Sequence, residues 1–294
     1  MGSRIVFWFI RVLSWIPDFL LGGLARIVEW LLKVLIGYRK QVISNNLTRA
    51  FPEMDEKARI GISNRYYRHL AQIFAEMIRF VRIPAVRSSH RISFEDESLL
   101  RNSFAEKKNL VILTGHYGNW EWNILAILAT GYRLLAVYKP QSSVLVNDLM
   151  KQIRHKKGLT LVPMKETLRV LHQEEVQKGT PYVLLLIADQ IPAKGDIHFW
   201  TQFLNQETAF FTGGEKIARR FKMPVLYLDQ QKHGFGKYTA TVKEIYDGFS
   251  ELPPDEITIR FANCLEASIR RQPELWLWSH RRWKYPKEDI HLPS

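Results

Sequence analysis

From Arg91 onward, short apolar runs alternate with segments of helical spacing. Runs at Ile92–Phe94, Leu110–Leu113, Arg133–Tyr138, Leu159–Val162 and Tyr182–Ile187 read as strands with helices between them. That alternation predicts an α/β fold: a mixed, largely parallel central sheet flanked by helices. Val225–Asp229 and Tyr238–Ile245, joined across His233-Gly234-Phe235-Gly236, predict an antiparallel hairpin at one sheet edge. Upstream, Val42, Ile43 and Leu47 place a helix between Tyr38 and Phe51 that stops at Pro52. Ile60, Ile62, Tyr66, Tyr67, Leu70, Ile73, Phe74 and Met77 recur every three or four residues and predict a longer helix from Asp55 to Val81. A short helix over Glu215–Phe221, another from about Pro254 to Arg271 and a Trp-rich tail complete the pattern.

The first 36 residues follow a different rule. Ile5 to Ile36 is dominated by Val, Ile, Leu, Phe and Trp, yet Arg4, Arg11, Asp18, Arg26, Glu29 and Lys33 punctuate it. No stretch reaches the roughly 18 uncharged apolar residues of a spanning helix. Arg4 and Arg11, and likewise Arg26, Lys33 and Lys40, lie seven apart, nearly two helical turns, so each set forms a narrow basic stripe. With Trp8, Trp15, Phe19 and Trp30 as anchors, and a break at Pro17, the segment reads as two helices lying at a membrane surface. An amphipathic helix packed on the protein's own core is the plainer alternative. No internal repeat or low-complexity linker is visible, so we divide the chain into a membrane-associating helical segment, residues 1–36, and one catalytic domain, residues 37–294.

Composition narrows this picture without deciding it. With 42 Lys+Arg against 29 Asp+Glu, the 294-residue chain carries a formal charge of +13, suited to nucleic acid, anionic lipid or an acidic partner. The aromatic companions of that charge gather in the N-terminal segment and around Trp276, Trp278 and Trp283 with Arg281, Arg282 and Lys284. Both clusters suit a lipid surface better than a nucleic acid, and the C-terminal one could meet membrane or a phosphate, although tryptophans of this kind are more often partly core. The single cysteine, Cys264, excludes a disulfide framework and a multi-cysteine metal site, and fits a cytosol-facing location. No Gly-x-Ser-x-Gly elbow, zinc-binding His-Glu-x-x-His, P-loop or dinucleotide fingerprint occurs, so neither a metal nor an organic cofactor is expected.

The sharpest candidate for chemistry is Thr114-Gly115-His116-Tyr117-Gly118-Asn119-Trp120-Glu121, at the end of a strand and the start of a helix. Sites of open α/β sheets lie at such carboxyl ends. On one continuous helix His116 and Glu121 would stand about 140° apart. They can face each other if His116 lies in the turn and Glu121 in the first helical turn, with Gly115 and Gly118 permitting the bend and Asn119 as N-cap. A carboxylate on one imidazole nitrogen would leave the other free to take a proton from an alcohol: a general base with its orienter. The alternative is a loop histidine and a glutamate that merely complements the helix dipole.

These residues also resemble a known family. His116 to Glu121 is similar to the His-x4-Asp/Glu motif of lysophospholipid-type acyltransferases, and its wording resembles the late acyltransferases of lipid A synthesis. Further similar blocks follow in order: Tyr138-Lys139-Pro140 with Asn147 and Arg154, Ile187-Ala188-Asp189-Gln190, Phe210-Phe211-Thr212-Gly213-Gly214, and Trp278 to Lys284. Asn45-Asn46-Leu47 with Ala50-Phe51-Pro52-Glu53 resembles the family's N-terminal block. The resemblance implies a monotopic enzyme at the cytoplasmic face of the inner membrane. Its histidine would deprotonate a lipid hydroxyl, which attacks an acyl thioester carried by acyl carrier protein or coenzyme A. Carried over, His116 is the base and Glu121 its orienter. Where relatives often carry Arg in the strand-end block, this chain has Lys139, which contacts phosphate without a planar bidentate pair.

Each remaining candidate keeps a plainer reading. Lys139 and Arg154 suit substrate phosphates or a solvated basic face. Asp189, closing an apolar strand, suits a sugar hydroxyl, support of the histidine, or a turn cap. Asn119 and Gln190 are added as substrate contacts. Thr212, Gly213 and Gly214 offer N–H groups to an anion or oxyanion, or an ordinary N-cap. The expected partners are the acyl donor, an anionic lipid acceptor such as a lipid A precursor, and the membrane, with no nucleic acid or metal. Acylation of another glycolipid or aminolipid is the nearest alternative; a non-catalytic basic protein binding membrane or nucleic acid is the alternative of another class.

Overall fold

The computed structural model describes residues 2–140, 143–177 and 179–290. Helices α1 (Gly2–Leu13) and α2 (Asp18–Trp30) flank the break at Pro17, and a π-helical turn continues to Leu35. α3 (Lys40–Ala50) and α4 (Glu56–Phe80) follow, α4 capped by Asp55, whose side chain accepts from Ala58 N–H. The body then alternates: β1 (Ile92–Phe94), α5 (Ser98–Ala105), β2 (Leu110–Thr114), α6 (Trp120–Ala129), β3 (Arg133–Tyr138), α7 (Val144–His155), β4 (Thr160–Pro163), α8 (Thr167–Gln177) and β5 (Tyr182–Ile187). β6 (Trp200–Phe203), β7 (Gln206–Ala209), α9 (Gly213–Phe221), β8 (Val225–Gly234), β9 (Lys237–Tyr246) and α10 (Glu256–Arg271) complete it.

Seven strands form one sheet in the order β1-β9-β8-β2-β5-β3-β4, parallel at every pairing except β8 with β9. The predicted strands are all present. The hairpin, however, does not form the edge: β1 adds alongside β9 and takes that place. The separate β6–β7 hairpin has no counterpart in the expected elements. Its turn is Leu204-Asn205, both at positive φ (51° and 60°), with no glycine to announce it.

The sheet is buried on both faces, as parallel sheets require. Along β2 the alternation is direct: Val111 and Leu113 join one apolar cluster with α10 and the C-terminal tryptophans, Leu110 and Ile112 another with α6. α2 packs along α4 and α1 against α7, so the N-terminal helices are seated on the body through Phe7, Leu21 and Ala25. Their outer faces expose Trp8, Trp15, Phe19 and Trp30, each by more than half. Among the described residues no helix is long and apolar enough to cross a membrane. The side chain of Arg4, one end of the predicted basic stripe, lies outside the described residues.

Candidate active site

Register places the site. β2 and β5 are parallel neighbours with Thr114 opposite Ile187, so the residues two steps beyond each strand end, His116 and Asp189, emerge side by side. His116 Nδ1 donates to Asp189 Oδ1 at 2.6 Å, and the His116 backbone N–H donates to Oδ2 at 2.9 Å. Trp276 Nε1 donates to the same Oδ2 at 2.8 Å. Burial pushes the Asp189 carboxyl up, but the charge of His116 and these three hydrogen bonds outweigh it and hold the group at about 2. The carboxylate is therefore ionised and can only accept, which fixes the proton of the neutral ring on Nδ1 and leaves the Nε2 lone pair outward. Gln190 Nε2 stands 3.3 Å from that nitrogen.

Two glycines make the close approach possible. A Cβ on Gly115 would stand 2.7 Å from Leu265 Cδ1 and 3.3 Å from Asp189 Oδ2. Gly118 sits at φ +61°, where a Cβ would fall 2.2 Å from Gln230 Oε1. The loop is also stitched to the C-terminal segment. Gly118 N–H donates to Leu275 O at 3.0 Å, and Leu277 N–H donates to His116 O at 3.1 Å. Asn46, from the N-terminal motif, donates to both Trp278 O and His280 O at 2.8 Å, so two sequence blocks more than 200 residues apart meet behind the histidine.

Glu121 is not the partner of the ring. It lies in the first turn of α6, 4% exposed, and both its oxygens are held by Arg154: Nε at 3.2 Å from Oε2, and Nη2 on Oε1. Burial lowers the basicity of Arg154, but the Glu121 charge more than offsets this and its pKa is raised. The expected His116–Glu121 contact is thus replaced by two separate acid–base pairs, His116–Asp189 and Arg154–Glu121.

A cavity of about 460 Å³ opens over these groups at the carboxyl ends of β2, β3 and β5. His116, Lys139, Arg154 and Gln190 line it, with Asn147 and Lys151 beside them and Met150, Leu161, Met164 and Phe211 as apolar walls. A larger depression of about 970 Å³ between α2 and α4 contains none of the motif residues.

Other expected residues fall elsewhere. Asn119 is fully buried and occupies the N-cap position of α6, but makes no capping bond: its Nδ2 donates to Glu76 Oε2 at 2.7 Å. It anchors the loop from its buried side. Thr212, Gly213 and Gly214 do not line the cavity; only the preceding Phe211 does. Of the C-terminal aromatic-basic cluster, Trp276, Trp278 and Arg282 are interior and Trp283 is partly buried, while Arg281 and Lys284 stay exposed. Trp276 and Trp278 are 2% and 0% exposed, because each indole N–H finds an acceptor, Asp189 and Pro273 O. Arg282 is buried over the Phe210 ring, 4.6 Å from its centroid.

The sequence pattern gave no warning of the polar cluster under the loop. Glu76 accepts from Asn119, from Gly236 N–H and from Tyr238 OH, all at 2.7–2.8 Å. Lys232 Nζ lies 2.9 Å from His69 Nδ1, 2.6 Å from Gln72 Oε1 and 3.8 Å from Glu76. An ammonium only donates, so His69 Nδ1 accepts and its Nε2–H donates to Gly118 O at 3.2 Å. Burial, reinforced by Lys232, pushes the His69 pKa well down, so this link stays neutral. In α4, His69 and Glu76 are buried polar positions on a face otherwise made of Ile62, Tyr66, Ile73 and Phe80.

No curated protein matches the chain. Among solved structures it is similar to the crystal structure of the 1-acyl-sn-glycerophosphate (LPA) acyltransferase PlsC from Thermotoga maritima, at 14% identity and a TM-score of 0.36, over 88% of this chain and 97% of that one. The family model described as bacterial lipid A biosynthesis acyltransferase matches residues 2–285, nearly the whole sequence, and the chain accordingly belongs to that family of acyltransferases.

Proposed function

We propose that the protein moves a fatty acyl chain from a carrier thioester, on acyl carrier protein or coenzyme A, to a hydroxyl of a lipid A precursor, using His116 as general base. The observation that carries this reading is the ring of His116, bound through Nδ1 to an ionised, buried Asp189 with Nε2 turned to the cavity. Nε2 takes the proton of the acceptor hydroxyl as its oxygen attacks the thioester carbonyl. Asp189 stabilises the imidazolium that forms, and collapse of the tetrahedral intermediate expels the thiolate, to which the imidazolium returns the proton. No acyl-enzyme is needed.

Arg154, held by Glu121, together with Lys139 and with Lys151 beside the Tyr138 ring, supplies positive charge at the cavity for a phosphate of acceptor or donor. The exposed aromatic faces of α1 and α2 support a membrane location for the enzyme, at the cytoplasmic face of the inner membrane, where a lipid acceptor and a soluble thioester meet. His116→Ala should abolish acyl transfer to a lipid A precursor, followed by product mass, while leaving folding and vesicle binding intact. Full turnover in that variant would refute the assignment. Transfer by the wild type to another glycolipid or aminolipid, with lipid A precursors inert, would replace the acceptor and keep the chemistry.

A further inference from the structure

We infer that the first turn of α7 inserts into the bilayer and forms the rim over which the lipid acceptor passes into the cavity. The inference rests on the lipid-acceptor reading above and names the entrance of that same site. Val144, Leu145 and Val146 are 74%, 46% and 46% exposed, in succession at the start of the helix. Successive residues point about 100° apart, so three apolar side chains in a row surround the helix tip instead of forming a stripe that could pack on the protein. Single exposed apolar residues are ordinary on a protein surface, but a clustered apolar tip at a site entrance is not.

The tip is part of the entrance: Val146 lines the cavity that holds His116 and Arg154. Further along the same helix and at its C-cap the chemistry changes to Lys151 and Lys156, both exposed, with Asp148 as the single acid of α7. At about 1.5 Å per residue these cations stand about 10–18 Å along the axis from Val144. An apolar end followed at that distance by cations fits an element whose tip enters the acyl region while its ammonium groups meet lipid phosphates.

The neighbour of α7 is also suited to lipid. α1 packs against it, with Phe7 buried and the Lys156 ammonium 4.2 Å from its ring centroid, while α1 exposes Ile5, Trp8 and Phe9 by 57–65%. The occupant is therefore an anionic bilayer surface. An acceptor could then remain anchored by its chains while its headgroup slides past Val146 toward His116.

The test uses the full chain with Cys264, its single cysteine, replaced by Ser and an environment-sensitive fluorophore at Leu145→Cys; Glu244→Cys, exposed on β9, is the control. On phosphatidylglycerol-containing vesicles the label at 145 should shift to the blue and be quenched by nitroxide lipids, and that at 244 should not. A water-like label at 145 on vesicle-bound protein, or a chain that does not bind the vesicles, overturns the inference. In parallel, Val144→Asp/Leu145→Asp should lower turnover of acceptor embedded in vesicles by about tenfold or more while staying within about twofold of wild type on acceptor dispersed in detergent. Equal losses in both formats overturn it. If the wild type transfers no acyl chain, the functional reading fails, while the fluorophore still decides insertion.

Discussion

Asp189→Asn separates the two acids of the site most cleanly, because the structure dictates how the amide must sit. The Oδ2 position of Asp189 receives two donors, the His116 N–H and the Trp276 indole N–H, and the Oδ1 position receives one, His116 Nδ1–H. An asparagine has one acceptor oxygen. Placed at Oδ2 it keeps two bonds; placed at Oδ1 it keeps one and sets its own NH2 against two buried N–H groups. Each unsatisfied buried donor costs about 1–3 kcal/mol, so the first orientation wins by a few kcal/mol. The amide NH2 then faces Nδ1 and donates, moving the ring proton to Nε2, where no proton from the acceptor can be received. The expected loss in kcat is about 10³–10⁴-fold, with KM and thermal stability little changed. Steady-state transfer from an acyl thioester to a lipid acceptor, alongside a melting curve, measures both. Retention of more than a tenth of wild-type kcat in a folded Asp189→Asn protein would refute the reasoning.

Glu121→Gln should behave differently. It weakens the clamp on Arg154, so KM for a phosphorylated substrate should rise by about tenfold with kcat little changed; a kcat loss as large as that of Asp189→Asn would place Glu121 on the ring. His69→Leu leaves Gly118 O without its donor and takes one acceptor from Lys232, which keeps Gln72, and should cost about 1–3 kcal/mol in urea unfolding together with a drop in kcat, whereas His69→Gln, which can both accept and donate, should recover most of each. Stability should also fall on acidification between pH 6.5 and 4.5. Burial holds His69 well below its usual range and His280 at about 4, so the unfolded chain takes up protons there that the folded one does not, and stability rises with pH across this window. A loss of about 2 kcal/mol is expected from His280 at pH 4.5, with His69 adding to it in the same direction and little change above pH 7. Asp189, at about 2, is ionised in both states through most of the window and contributes little to the slope. A flat profile would contradict the burial of both rings in neutral form.

The parts of this molecule legible in the sequence are those set by local pattern. Strands β2, β3 and β5 announce themselves because both faces are buried and each reads as an unbroken apolar run. His116 was visible for a related reason: it follows such a run directly and is flanked by glycines that only a sharp turn would favour. The edge order was not legible, since β1 is three residues long and nothing in Ile92–Phe94 states that it pairs with Tyr238–Ala240. The C-terminal tryptophans are open in sequence between core and ligand contact, because an indole beside arginines looks amphipathic. Its N–H acceptors, Asp189 and Pro273 O, appear only once the chain has folded back on the loop.

The choice between Asp189 and Glu121 depends on geometry that spacing alone cannot supply. Five residues separate His116 from Glu121, against 73 from Asp189, and proximity in sequence favours the former. Yet α6 begins at Trp120, so Glu121 is already turned away in the helix, toward α7, where Arg154 closes on it. Asp189 needs no turn at all: β5 is in register with β2, and both chains leave the sheet at the same level. Moving Glu121 to the ring would leave the Arg154 guanidinium, only 20% exposed, without its counter-ion, and would set a second carboxylate against a nitrogen that Asp189 already fills. Each acid therefore has one basic partner. In the proposed mechanism Asp189 sets the proton on His116 for the chemical step, and Glu121 holds Arg154 for the charge that the substrate would bring.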